Sequence, residues 1–101
     1  MKLKPLHQQT IVITGASSGI GLATAHMAAQ AGARVVLTSR NDEVLAKVAG
    51  EIEGAGGEVI HVAADVAHRE EVQKIADAAY KRFGGFDTWV NNAGVDIIGK
   101  L

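Results

Sequence analysis

Short runs of β-branched residues alternate along the chain with longer stretches in which apolar positions recur every three or four residues. Thr10-Ile11-Val12-Ile13-Thr14 is apolar at its centre and stops at Gly15. A run with no polar face predicts a strand buried on both sides. From about Ser18 to Ala31 the spacing predicts a helix with Ile20, Ala23, Met27 and Ala31 on its inward face, ended by Gly32. Arg34 to Thr38 predicts a second strand. Asn41 is a capping residue type and opens a helix to about Gly54, whose apolar face carries Leu45, Val48, Ala49 and Ile52. Gly54-Ala55-Gly56-Gly57 breaks that helix, and Glu58 to Val62 predicts a third strand. Between about Arg69 and Phe83, helical spacing returns at Val72, Ile75, Ala76, Ala79 and Phe83. Gly84-Gly85 stops it, and Asp87 to Asn91 predicts a fourth, central strand with Trp89 in the core.

The order βαβαβαβ implies a parallel sheet with right-handed crossovers and helices on both faces. A dinucleotide-binding half built this way is an α/β, Rossmann-type doubly wound sheet with strand order 3-2-1-4, here truncated. Alternation alone fits any doubly wound domain, a flavodoxin-like one included. With 101 residues and no repeat or linker, residues 1–101 read as a single domain. A chain of this size buries roughly 60–70% of its unfolded surface. Hydrophobic residues make up 48% and charged residues 21%, which argues against disorder. A formal net charge of −1 gives no electrostatic reason to expect a nucleic-acid or membrane partner. The absence of cysteine excludes disulfides and thiolate zinc sites, and fits a reducing, cytoplasmic compartment. No long apolar run follows Met1, so neither a secretory signal nor a membrane span is expected. His7, His26, His61 and His68 fall on separate elements without ligand spacing, so they read as structural or solvent-facing and no metal is expected.

The segment Thr14-Gly15-Ala16-Ser17-Ser18-Gly19-Ile20-Gly21 carries glycines spaced G-x-x-x-G-x-G. Three glycines at fixed places arise by chance in roughly one chain in thirty, so spacing alone is weak. Their position directly between a strand and a helix makes them informative. Gly15 lets the backbone turn off the strand, Gly19 removes a Cβ where a pyrophosphate would approach, and Gly21 lets the helix pack closely on the sheet. Unpaired N–H groups at the helix start attract a diphosphate, with Ser17 and Ser18 as added donors and Ser18 as a candidate cap. A glycine-rich turn that binds nothing is the plainer alternative.

Thr14 to Gly21 resembles the cofactor fingerprint of the short-chain dehydrogenases/reductases. Asn91-Asn92-Ala93-Gly94 is similar to that family's second signature, and Asp65-Val66 to its adenine-contacting pair. The motifs fall in the family's order on the corresponding elements, and the likeness runs from about Gln9 to Leu101. The resemblance implies that Asp65 accepts from the adenine amino group and that Val66 packs near the ring. It gives Asn91 a sheet-stabilising role and sets Asn92, Ala93 and Gly94 against the cofactor ribose. Asp65 bonding nearby backbone, and an Asn-Gly turn after the strand, remain the bland readings.

Ser39 and Arg40 follow the second strand, where a carboxylate would hold the ribose hydroxyls of NAD. Arg40 instead offers a guanidinium that can fork onto a 2′-phosphate, so NADP is expected in preference to NAD. A solvent-facing arginine is the alternative, and Asp42 and Glu43 are close enough in sequence to pair with it. The family's tyrosine, lysine, serine and asparagine belong to elements past the fourth strand, so no residue here receives a catalytic role. Tyr80 is followed four residues on by Gly84 and cannot be the Tyr-x-x-x-Lys pair. The expected function is an NADP-dependent carbonyl/alcohol oxidoreductase represented by its dinucleotide-binding part, inactive as these 101 residues. Its parent is expected to take a small-molecule substrate and to be a homo-oligomer. The alternatives are a stand-alone nucleotide-binding module without catalysis and a non-enzymatic interaction domain.

Overall fold

The β-branched runs pair side by side in one parallel sheet, and the periodic stretches wind over its two faces. The computed structural model describes residues 4–92. A short 3-10 turn, Leu6–Gln8, leads into β1 (Thr10–Thr14), α1 (Gly19–Gln30), β2 (Arg34–Ser39), α2 (Asp42–Gly54), β3 (Val59–Ala63), α3 (Arg69–Phe83) and β4 (Thr88–Val90). The sheet order is β3-β2-β1-β4, as the alternation and the glycine turn predict. Thr14 pairs with Thr38, Thr38 with Val62 and Ile13 with Val90, so all four strands end along one edge of the sheet.

Successive side chains on a strand point to opposite faces. Ile11, Ile13, Val35 and Leu37 therefore pack beneath α1 and α2 with Ala25, Ala28, Leu45, Val48 and Ile52. Val12 and Val36 pack on the other face with Ile75 and Ala79 of α3. The inward positions expected of α2 are all buried. On α3, Ile75 and Ala79 are buried, while Val72, Ala76 and Phe83 are half-buried. Asn41 caps α2, its Oδ1 accepting from the Val44 N–H at 3.2 Å. Gly84 closes α3 in the left-handed region at φ 81°.

The face of α1 differs from the one its sequence suggests. Gly21, Ala25 and Ala28 point inward, whereas Ala23 and Ala31 are exposed, Ile20 is 70% exposed and Met27 68%. This helix is small or apolar almost all round, so periodicity gives it little rotational phase. The position with no side chain, Gly21, faces the preceding turn and sets the rotation. Trp89 is also less enclosed than a core position. It is half-buried, because β4 has β1 as its only strand partner among the described residues. Its ring meets Phe86 edge to face at 5.4 Å.

β4 has three residues, fewer than the five predicted, and the two flanking positions, Asp87 and Asn91, bond β1 through their side chains. The Thr10 N–H donates to Asp87 Oδ2 at 2.8 Å, and the Asp87 N–H donates to the Thr10 carbonyl at 2.8 Å. Lys4 Nζ lies 2.8 Å from Asp87 Oδ1, and Arg34 Nε donates to Thr10 Oγ1 at 2.9 Å. Hydrogen bonds from Lys4 first and the Thr10 backbone second hold the Asp87 carboxyl below its ordinary value of 3.8. A carboxylate with a depressed folded-state pKa stabilises fully above its unfolded pKa and loses that contribution as pH falls through the folded value. Asp87→Asn should therefore cost roughly 0.5–1 kcal/mol at neutral pH, the worth of a partly exposed charge-assisted contact. The gap to wild type in urea unfolding should close once the pH is well below about 3.8. A gap of equal size at both ends of that range would contradict this account of Asp87.

Candidate functional site

The sheet order reverses between β1 and β4, and the strand ends open there onto a cleft of about 830 Å³. In open α/β sheets such a switch point is where ligands bind. Gly15, Ser17, Ser18, Gly19, Ile20 and Gly21 form one wall, Thr38 to Asn41 the second, Ala64 to Ala67 the third, and Asn91 and Asn92 the fourth.

The glycine wall is built from backbone geometry. Gly15 and Gly19 sit at φ 63° and 58°, a region that favours glycine. The Ala16 N–H donates to the Thr38 carbonyl at 3.1 Å and ties the turn to the end of β2. A Cβ on Gly21 would overlap the Gly15 carbonyl oxygen and lie 2.7 Å from its carbon. The close approach that Gly21 permits is thus to its own turn. Ser18 occupies the N-cap position in extended conformation, but its hydroxyl makes no capping bond. The first N–H groups of α1 face the cleft end of the helix without intrahelical partners, at the positive end of its dipole.

On the second wall, Ser39 Oγ accepts from the Asn41 N–H at 3.0 Å. Arg40 is exposed and makes no ion pair among the described residues. Asp42 turns away to His61, whose Nδ1 lies 3.1 Å from Asp42 Oδ1. On the third wall, Asp65 Oδ1 accepts from the Ala67 N–H at 2.9 Å, and its own N–H donates to Glu71 Oε1 at 3.2 Å. His68 Nε2 lies 3.6 Å from Asp65 Oδ2. The carboxylate therefore organises its turn while lining the cleft beside Val66.

Thr14 joins the fourth wall to the first. Its hydroxyl donates to Asn91 Oδ1 at 2.8 Å and accepts from the Asn92 N–H at 2.8 Å. The structure thus brings together every described residue named as a candidate, Gly15, Ser17 to Gly21, Ser39, Arg40, Asp65, Val66 and Asn92. Ala93 and Gly94 lie outside the described residues. Sequence reasoning gave no site role to Thr38, Ala64 and Ala67, read Asn41 as a helix cap alone, and named Thr14 only as the start of the glycine segment. One signal was present, since the two apolar runs read as β1 and β2 each close on a threonine, and in the structure Thr14 and Thr38 pair in register. Thr38 Oγ1 and Asn92 Nδ2 are buried without a hydrogen-bond partner among the described residues. Orphaned polar atoms of this kind suit a wall that meets a polar ligand.

Arg40 and Asp65 are the charged side chains of the cleft lining. Arg40 makes no ion pair among the described residues, and Asp65 meets His68 at 3.6 Å. Among the described residues no group of three or more His, Cys, Asp or Glu side chains could hold a metal ion, and no helix is long and apolar enough to cross a membrane.

The family model for short chain dehydrogenase matches residues 9–101. An uncharacterized oxidoreductase of Bacillus subtilis, YxnA, is 54% identical over 99 residues, covering 98% of this chain and 28% of that protein. The L-sorbose reductase of Gluconobacter frateurii, solved with NADPH and L-sorbose, superposes with a TM-score of 0.82 at 44% identity, over 85% of this chain and 33% of that one. A short chain dehydrogenase/reductase of Burkholderia phymatum, solved with NAD, gives a TM-score of 0.82 at 37% identity, over 86% of this chain and 31% of that one. The chain spans about a third or less of the length of these proteins.

The glycine wall yields a paired test. Gly21→Ala places a methyl against backbone that cannot turn aside, and should destabilise by about 1–3 kcal/mol. Gly50→Ala, in the interior of α2 with nothing within 4 Å of the added Cβ, should stabilise by roughly 0.5–1 kcal/mol. Urea unfolding of both variants measures the difference, and a neutral Gly21→Ala would contradict the close approach.

Proposed function

The chain belongs to the short-chain dehydrogenase/reductase family, and on that premise we propose that its cleft holds NADP(H) for an oxidoreductase interconverting alcohols and carbonyls. The observation that carries this reading is Arg40, a guanidinium at the end of β2 with no ion-pair partner among the described residues, beside Ser39 where an NAD site would hold a carboxylate. The fit to a dinucleotide rests on the glycine wall, where a side chain at Gly21 would collide, and on the orphaned Thr38 and Asn92 atoms.

The first backbone N–H groups of α1, with Gly15, Ser17, Ser18, Gly19, Ile20 and Gly21 around them, receive the diphosphate. Arg40 and Ser39 receive the 2′-phosphate, Asp65 and Val66 the adenine, and Asn92, Ala93 and Gly94 the ribose. The bound nicotinamide supplies the hydride donor or acceptor. The residues of this chain contribute binding and orientation, with Thr14 holding the Asn91-Asn92 segment against β1. The same reading makes the full-length protein a cytoplasmic homo-oligomer acting on a small molecule, without nucleic-acid or membrane partners, in keeping with a net charge of −1.

A charge-assisted hydrogen bond contributes about 1.5–3 kcal/mol. The protein should therefore prefer NADP(H) over NAD(H) by roughly ten- to a hundredfold, with solvent exposure of Arg40 pulling toward the lower figure. Arg40→Ala should lose most of that discrimination and little NAD(H) affinity. Ser39→Asp should reverse it, by repelling the 2′-phosphate and accepting from the ribose hydroxyls. Calorimetric titration of both cofactors at one salt concentration measures this. Equal wild-type affinities, or a preference unmoved by Arg40→Ala, would remove the NADP assignment.

A further inference from the structure

We propose that His61 is a positioning residue for cofactor choice, holding the Asp42 carboxylate away from Arg40 so that the guanidinium stays available to a 2′-phosphate. The inference rests on the NADP reading of the cleft and adds a residue that lines none of its walls.

His61 lies on β3, opposite Leu37 of β2, two positions before the end of β3 at Ala63. Its Nδ1 is 3.1 Å from Asp42 Oδ1. An ionised carboxylate only accepts, so Nδ1 carries the proton and donates. Asp42 is the first residue of α2 and stands two residues after Arg40. Nothing in the cap removes this carboxylate. The N-terminal end of α2 favours negative charge, and Asp42 and Glu43 both occupy its first turn. The cap itself is made by Asn41, so Asp42 is not held by capping. Among the described residues, the Asp42 side chain pairs with His61 alone.

The consequence follows from Coulomb's law. A freed Asp42 side chain can reach toward Arg40 or face an incoming 2′-phosphate, and either weakens NADP(H) without touching what NAD(H) binds. Asp42 is 62% exposed and His61 33%, so water and salt screen the effect. The expected size is roughly two- to fivefold in affinity, smaller than the effect of removing Arg40 itself.

The test titrates NADP+ and NAD+ into wild type, His61→Ala, His61→Asn, Asp42→Asn and the double variant His61→Ala/Asp42→Asn, at low and fixed ionic strength. His61→Ala should weaken NADP+ roughly two- to fivefold and leave NAD+ unchanged. His61→Asn should restore wild-type behaviour, since its amide nitrogen stands where Nδ1 stood. Asp42→Asn should bind NADP+ at least as well as wild type and should render His61→Ala silent. Equal loss of both cofactors in His61→Ala would make His61 a folding residue and overturn the proposal. So would an unchanged NADP+ affinity in a wild type that does prefer NADP+, which would leave the cofactor reading standing. Should His61→Ala fail to fold, Asp42→Asn and His61→Asn still decide, because weaker NADP+ binding in Asp42→Asn contradicts a carboxylate that must be kept away. Equal wild-type affinities would overturn the cofactor reading and this inference together.

Discussion

The approach of α1 to the turn that precedes it governs the geometry of the cleft. Gly21 lies so close to the Gly15 carbonyl that no side chain fits between them. That contact fixes the rotation of α1, which turns Ala25 and Ala28 to the sheet and leaves Ile20 and Met27 in solvent. It also fixes where the first N–H groups of the helix point. The Ala16 N–H, bonded to Thr38, joins the same turn to β2 and so brings the wall carrying Arg40 into a set position. One missing Cβ thus sets the orientation of the helix, the direction of its first N–H groups and the neighbouring strand end.

β4 shows how a strand of three residues is kept in place. Its ladder with β1 is short, and tertiary bonds hold both of its ends. At the start, Asp87 exchanges hydrogen bonds with Thr10 and meets Lys4. At the finish, Thr14 bonds Asn91 and Asn92. The second clamp is made by the residue from which the glycine turn departs, so the two sides of the switch point share one anchor.

How much of this was legible depended on whether a residue's role was local. Strand runs of β-branched residues, the Asn41 cap and the amphipathic faces of α2 and α3 are written in short-range pattern, and the structure follows them. The glycine turn was legible because its backbone demands are met by one residue type. The face of α1 was not legible, since twelve residues nearly all small or apolar carry almost no phase and a tertiary contact decided it. Trp89 was placed too deep because a strand's position in the sheet, edge or centre, is not a property of its own residues. The partners of Thr14, Asp87 and His61 lie 77, 77 and 19 residues away, beyond any spacing rule. Asp42 was weighed as a partner of Arg40 from sequence proximity, and a cross-element hydrogen bond took it elsewhere.

The two clamps on β1 stand at opposite ends of one strand. Thr10 serves one and Thr14 the other, about 13 Å apart along an extended chain. Sites separated by more than about 7–10 Å and sharing no partner combine additively. Changes at the Thr10 clamp and at the Thr14 clamp should therefore sum in their effect on stability, so each can vary without the other. Lys4, Arg34 and Asp87 can drift or be redesigned to raise or lower robustness at the start of β1 while the Thr14 end, with the glycine turn that departs from it, keeps its geometry.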